Sequence, residues 1–123
     1  MSDEKKTVIV SCSGASNTGT TADRVARRLC VDNPDHNDFL CLAALAIKKA
    51  PSIKKMQEAN KIVVIEGCPS CCASEILRQG GFSSTLVMEM VSDYAMKKNM
   101  SPVCEESDIE RISEDVELRV RGR

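Results

Sequence analysis

Short apolar runs alternate with amphipathic segments along most of the chain. The first run, "TVIVSC" at residues 7–12, is rich in β-branched residues and predicts a strand buried on both faces. Apolar residues then recur at helical spacing from Ala22 to Cys30, opposite several arginines, which predicts a helix capped by Thr20 and Asp23. "KIVVIEGC" at residues 61–68 is the clearest strand signal in the sequence. These segments predict an alternation of strands and helices.

The remaining segments continue this alternation. "DFLCLAAL" predicts a second strand, although its alanines also suit a helix, and "APSIKKMQEAN" predicts a short helix. "PSCCASEILRQGG" predicts a helix with Pro69 in its first turn, and "STLVMEMV" predicts a fourth strand. Ser107 and Glu110 form a capping-box pattern that opens a final helix, with its inward face formed by Ile109, Ile112, Val116 and Val120.

The predicted order is strand, helix, repeated four times. Such an order favours parallel strands joined by right-handed crossovers. We therefore expect one domain over residues 1–123, with a three-layer α/β fold of the Rossmann-like or flavodoxin-like kind. Its four-stranded, mostly parallel sheet would carry helices on both faces.

Charge and composition limit the classes of partner that we expect. The formal net charge is −1 and only three residues are aromatic, so we expect no nucleic-acid partner. No apolar stretch approaches membrane-spanning length, and "MSDEKKTVIV" lacks the organisation of a signal peptide, so we expect no membrane partner and a cytoplasmic location. Thiols stay reduced there, and an odd number of cysteines, seven, argues against a closed disulfide framework. Metal binding, redox chemistry and core packing remain as roles for the cysteines.

Three of the cysteines lie at or near predicted strand ends. Cys12 ends the first strand, Cys41 lies near the end of the second, and Cys68 ends the third. Parallel strands end at one edge of a sheet, where ligands bind at a topological switch point. Neighbouring strands are about 4.8 Å apart, so thiols on adjacent strand ends can meet around one ion. This placement predicts a metal site at that edge.

Spacing alone does not decide which cysteine is the fourth ligand. Cys72 lies four residues after Cys68, at the spacing that puts two ligands on one helical face, whereas Cys71 gives the commoner C-x2-C spacing. Cys72 also fits the apolar face of its predicted helix, where a reduced cysteine packs as a small hydrophobe. Cys30 is expected in the core and Cys104 as a free thiol in a loop. His36, the only histidine, lies in a polar turn and is assigned no role.

Three segments in order resemble the DGC-domain family, named for an Asp-Gly-Cys motif. They are "VIVSCSGASNTGTTADRVARRL", "CLAAL" and "IVVIEGCPSCCA". The resemblance implies a zinc site with four chelating cysteines, which map onto Cys12, Cys41, Cys68 and Cys72. Glu66 stands where the motif has aspartate, and Cys71 is an additional thiol beside the pattern. The resemblance supplies a ligand set and no reaction.

The loop after Cys12 raises an enzymatic alternative. "CSGASNTG" resembles the cysteine loops of low-molecular-weight tyrosine phosphatases and of phosphotransferase IIB components. The phosphatase version requires an arginine where this chain has Thr18, whereas the phosphocysteine version does not. An anion would meet a helix N-terminus and the small residues of this loop. The candidate anion-binding residues are Ser13, Gly14, Asn17, Thr18 and Gly19.

Three hypotheses follow. The first is a protein that binds one zinc ion for metal handling or sensing, with an iron–sulfur cluster as the less favoured occupant of the same thiols. The second is an enzyme in which Cys12 is the nucleophile of thiol redox chemistry or phosphocysteine transfer, with Cys71 or Cys72 as the thiol that resolves an oxidised intermediate. The third is an interaction module whose metal supports the fold.

Overall fold

Four parallel strands form the centre of the protein in a computed structural model, which describes residues 5–122. The strands are β1 (Thr7–Ser11), β2 (Asn37–Phe39), β3 (Lys61–Glu66) and β4 (Leu86–Glu89). Their order in the sheet is β2-β1-β3-β4, and Ile9 of β1 pairs with Phe39 on one side and Val63 on the other. The predicted four-stranded parallel sheet is confirmed.

Six helices surround this sheet in the part of the chain that the structure describes. They are α1 (Asn17–Asp32), α2 (Leu42–Ala46), α3 (Ala50–Gln57), α4 (Cys72–Gln79), α5 (Met90–Tyr94) and α6 (Glu106–Arg121). Residues of α1 and α6 pack in one core cluster on one face of the sheet, whereas residues of α2, α3 and α4 pack in a second cluster. Successive strand residues alternate between the clusters, as Ile9 and Val10 do. The three-layer prediction is therefore confirmed.

Several element boundaries differ from the sequence predictions. Ser16 caps α1 by accepting a hydrogen bond from the N–H of Gly19, so this helix begins before the predicted Thr20 cap. The second strand ends at Phe39, and the alanine-rich residues after it form α2. Helix α6 begins after Glu105, whose side chain makes no capping hydrogen bond. The helix therefore does not start at the capping box predicted at Ser107. The inward face of α6 is as predicted, since Ile109, Ile112, Val116 and Val120 are buried.

Residues 95–105 join α5 to α6 without a regular element, and we call this segment the strap. It crosses the N-terminus of α1, where Asn17 holds it through both backbone and side chain. Within residues 5–122, no helix is both long enough and apolar enough to cross a membrane. The strap thus adds a cover to the edge of the sheet where α1 begins.

Candidate metal centre

The carboxyl ends of β1 and β3 form the switch point of this sheet. The chain leaves β1 towards β2 on one side, and later leaves β3 towards β4 on the other. The N–H of Cys12 donates to the carbonyl of Ile65 at 2.9 Å, so Cys12 lies beside the end of β3. Cys68 follows Glu66, the last residue of β3, by two positions. The topology brings Cys12 and Cys68 to neighbouring loops, as the strand-end argument predicts.

Glycines allow these two loops to touch. A Cβ on Gly67 would lie 2.9 Å from the Cα of Gly19, and a Cβ on Gly19 would lie 2.8 Å from the carbonyl oxygen of Gly14. A Cβ on Gly14 would in turn lie 3.3 Å from the sulfur of Cys12. At Gly67 and Gly19 the neighbouring atoms are backbone, so only residues without side chains fit there. The loop of β3 therefore lies directly against the first turn of α1.

The Cys68 thiol lies among hydrogen-bond donors. The ammonium of Lys98 on the strap lies 3.4 Å from its sulfur. Hydrogen bonds from the backbone and the side chain of Ser70, and then from Lys98, hold the pKa of Cys68 below its ordinary value. A thiolate is the form that binds a metal and the form that attacks an electrophile. The environment of Cys68 thus favours both metal binding and nucleophilic attack.

Helix α4 begins later than predicted, at Cys72, because Glu66 fixes its first turn. The Glu66 carboxylate is 1% exposed and accepts hydrogen bonds from the N–H groups of Ala73 (3.3 Å) and Ser74 (2.6 Å). These are N-terminal N–H groups of the helix, which need an external acceptor. Residues 69 and 70 form a turn, and Cys71 directly precedes the helix. The predicted placement of Pro69 in the first helical turn is therefore wrong, and so is the helical spacing of Cys68 and Cys72.

Cys71 and Cys72 differ in environment. Cys71 is half-buried in the left-handed conformation (φ 52°), and its N–H donates to the carbonyl of Cys68 at 3.1 Å. Burial, followed by the charges of Glu66 and Glu89, raises the pKa of the Cys71 thiol. Cys72 is exposed, so the alternative in which it packs in the core is wrong. Its thiol is open to a ligand at the start of α4.

Cys41 reaches this edge from the other side of β1. It is exposed and precedes α2, two residues after the end of β2. Leu40 N–H donates to the carbonyl of Ile9 at 3.1 Å, which continues the pairing of β2 with β1 up to Cys41. Helix α2 packs beside α4, whose first residue is Cys72. The N-termini of α2 and α4 thus bring two exposed thiols to the same face of the sheet.

The donor set suits zinc in its chemistry. The five thiols of this edge are free, and none is fully buried: Cys12, Cys41, Cys68, Cys71 and Cys72. Thiolate sulfurs are preferred zinc ligands at about 2.3 Å. Over residues 5–122, however, no three cysteine, histidine, aspartate or glutamate side chains already form a group able to hold a metal ion. The fold supplies the loops and the donors, and a shared ion requires the thiols to turn towards one another.

Internal partners occupy much of the candidate anion loop. The hydroxyl of Ser13 donates to Asp23, and the N–H of Gly14 donates to the sulfur of Cys12 at 3.3 Å. The N–H of Asn17, in the first turn of α1, donates to the carbonyl of Asn99 at 3.3 Å. Thr18 is fully buried, with its hydroxyl 3.1 Å from that of Ser16. An anion would have to displace the strap to reach the helix end at Asn17.

The other two cysteines do not follow strand ends. Cys30 lies in α1, half-buried against the core as expected, and burial raises its pKa to about 11. Cys104 is a half-buried thiol on the strap, 3.9 Å from the guanidinium of Arg24. His36 is exposed, in agreement with the sequence.

These pKa shifts predict an order of thiol reactivity. We expect iodoacetamide at pH 7 to alkylate Cys68 faster than Cys30 in metal-free protein, because the thiolate is the reactive form and its population falls about tenfold per unit of pKa. Mass spectrometry of peptides over a time course measures both rates. In urea-unfolded protein the two rates should converge. Faster alkylation of Cys30 in the folded protein would contradict the assigned environments.

Sequence reasoning missed two of the residues that shape this edge. Lys98 and Asn17 act across 30 and about 80 positions of sequence, and neither belongs to a periodic pattern. The sequence predicts only an anion-binding role for Asn17, whereas its side chain binds the strap. The capping role of Glu66 was detectable in part, since a carboxylate at a strand end commonly meets the next helix.

The comparison with protein families decides the classification. The family model of the DGC domain matches residues 8–116. The chain belongs to the DGC family. The DGC match includes β1 through most of α6, so the whole cysteine-bearing edge lies within it.

One relative of this DGC protein is a curated protein of Pseudomonas aeruginosa, the "Anaerobic and virulence modulator AnvM". The two are 26% identical over 115 residues, which cover 94% of this chain and 86% of AnvM. No solved structure matches the chain. The DGC domain is therefore related over nearly its full length to a protein named as a modulator.

Proposed function

We propose that this DGC protein binds one zinc ion through Cys12, Cys41, Cys68 and Cys72 and serves in metal handling or sensing. The observation that carries the proposal is the convergence of three parallel strand ends, each followed by a free thiol, on one edge of the sheet. The first residue of α4 adds the fourth thiol. The resemblance to the DGC family implies the same four residues, and all of them lie within the family match.

Four thiolates would complete the tetrahedral coordination of zinc. Such a closed site leaves no position for a bound water, so it suits a structural, sensing or carrier role better than hydrolysis. The exposure of Cys41 and Cys72 supports exchange of the ion with an acceptor. Cys71, whose backbone hydrogen bonds to Cys68, is the replacement ligand if Cys72 does not turn inward.

A sensing role is also consistent with the relative. AnvM is named an anaerobic and virulence modulator, and thiolate sites respond to both metal supply and oxidation. Thiols that bind metal must stay reduced, so we propose a cytoplasmic location.

A redox function of the same thiols is the second candidate. Its support is the environment of Cys68, a thiol of lowered pKa with the half-buried Cys71 three residues away. In this scheme the Cys68 thiolate attacks one oxygen of a peroxide and forms a sulfenic acid, while the O–O bond breaks and the leaving hydroxide or alkoxide takes a proton from water. The Cys71 thiol then attacks that sulfur to form a disulfide, and the sulfenic oxygen leaves as water.

The metal content of untagged protein tests the first proposal. We expect about one zinc per chain after anaerobic purification, and loss of most of it in the Cys12→Ser variant because one of four ligands is removed. Cys30→Ser, which alters a thiol away from the edge, is the matched control and should retain the ion. An unchanged zinc content in Cys12→Ser removes that residue from the site. A brown protein with stoichiometric iron would instead favour a cluster.

A further inference from the structure

The strap positions one side chain over the proposed ligands. Asn17 brackets Lys98 on both sides: its side-chain amide donates to the carbonyl of Lys97 at 2.8 Å, and its side-chain oxygen accepts the N–H of Asn99 at 2.7 Å. The backbone N–H of Asn17 adds a third hydrogen bond, to the carbonyl of Asn99. The backbone on either side of Lys98 is thereby fixed to the first turn of α1.

The side chain of Lys98 uses this position to reach a sulfur. Its ammonium lies 3.4 Å from the sulfur of Cys68, within donor distance of a thiolate. The ion pairs of the described residues join other lysines and arginines to carboxylates, and Lys98 is in none of them. Its charge is therefore directed to the thiol edge.

A positive charge beside Cys68 affects the electrostatic balance of the zinc site proposed above. Zinc held by four thiolates carries a net charge of −2, because two of the four negative charges remain after the ion is neutralised. An ammonium hydrogen-bonded to one sulfur offsets part of that charge and orients the ligand, as outer partners of metal ligands do.

We propose that Lys98 is a positioning residue of the thiolate site, which orients Cys68 and compensates the charge of the metal-bound form. This inference rests on the proposed zinc function. It adds a residue that lies 30 positions from its cysteine and outside the ligand set. Asn17 has a supporting part, since it holds the strap that carries Lys98.

Zinc affinity, measured by competition with a chromophoric chelator, tests this role. We expect Lys98→Met to weaken zinc binding about fivefold, because it removes the charge and the donor while keeping the length of the side chain. Lys98→Arg should stay within about twofold of the original protein, since it retains both properties. Lys97→Met is the matched control, because it removes the same charge from the adjacent residue, and it should bind as the original protein does.

A cobalt spectrum supplies a readout that a loss of structure would not mimic. Hydrogen bonds to a thiolate stabilise its lone pairs, so Lys98→Met should shift the sulfur-to-cobalt charge-transfer band to longer wavelength. Lys98 is exposed, and equal melting temperatures would confirm that each variant folds. If Lys98→Met binds zinc as tightly as the original protein, or more tightly, with an unshifted band, the role of Lys98 is refuted while the zinc site stands. If the original protein binds no zinc, both proposals fail.

Discussion

Gly67→Ala should lower the free energy of unfolding by about 3 kcal/mol, one of the two largest effects we expect of a single substitution. The new Cβ would lie 2.9 Å from the Cα of Gly19 and 3.0 Å from its nitrogen. Both atoms are backbone in the first turn of α1, so neither can rotate away. The loop after β3 must then separate from α1, which moves Cys68 away from Cys12. Urea unfolding followed by circular dichroism measures the loss.

Gly80→Ala is the matched control for this substitution. Gly80 follows α4 with φ −85°, and its added Cβ would meet a ring carbon of Phe82 at 3.3 Å. The Phe82 ring is only half-buried and is a side chain that can shift, so the free energy of unfolding should change by less than about 1 kcal/mol. Gly67 does not have a positive φ, so contact rather than backbone conformation decides the outcome. Equal stabilities of the two variants would show that the loop and α1 are not in close contact.

Glu66→Ala should lower the free energy of unfolding by a comparable amount, about 2–4 kcal/mol. The substitution leaves the N–H groups of Ala73 and Ser74 without their acceptor and opens a cavity beneath α4. Hydrogen exchange should accelerate at these two amides more than at the C-terminal end of the helix. Chemical denaturation and amide exchange by NMR measure the two effects.

The family's own name motif supplies the comparison for Glu66. Glu66→Asp keeps the carboxylate and shortens the side chain by one methylene, so it should retain at least half of the stability that alanine loses. Glu66→Gln keeps the shape but replaces one acceptor oxygen with a donor amide facing two N–H groups, so it should fall between the two. If alanine is tolerated as well as aspartate, the carboxylate does not hold the start of α4.

The fold could be predicted because its central strands have a strong local signal. The runs at β1 and β3 are β-branched and continuous, as expected for strands covered by helices on both faces. The boundaries that failed lack such a signal. "DFLCLAAL" contains the last two residues of β2 and most of α2, and only the pairing of β2 with β1 separates them. Tertiary contacts overrode local preference there.

The cysteine edge could be predicted only in outline. Strand order places Cys12, Cys41 and Cys68 at one edge, whatever the side chains do. The start of α4 depends on Glu66, a contact between residues seven and eight positions apart that local spacing does not reveal. The placement of Lys98 depends on a strap held by Asn17, about 80 positions away in the sequence. Contacts between residues so far apart produce no periodic pattern in the sequence.

Thiol mapping by mass spectrometry tests the central claim most directly. Metal-free and zinc-loaded protein would be alkylated under identical conditions, and the modified fraction of each cysteine compared. The account predicts that zinc protects Cys12, Cys41, Cys68 and Cys72 together, while Cys30 and Cys104 react at the same rate in both forms. Protection confined to one loop, or absent from all four thiols, would contradict it.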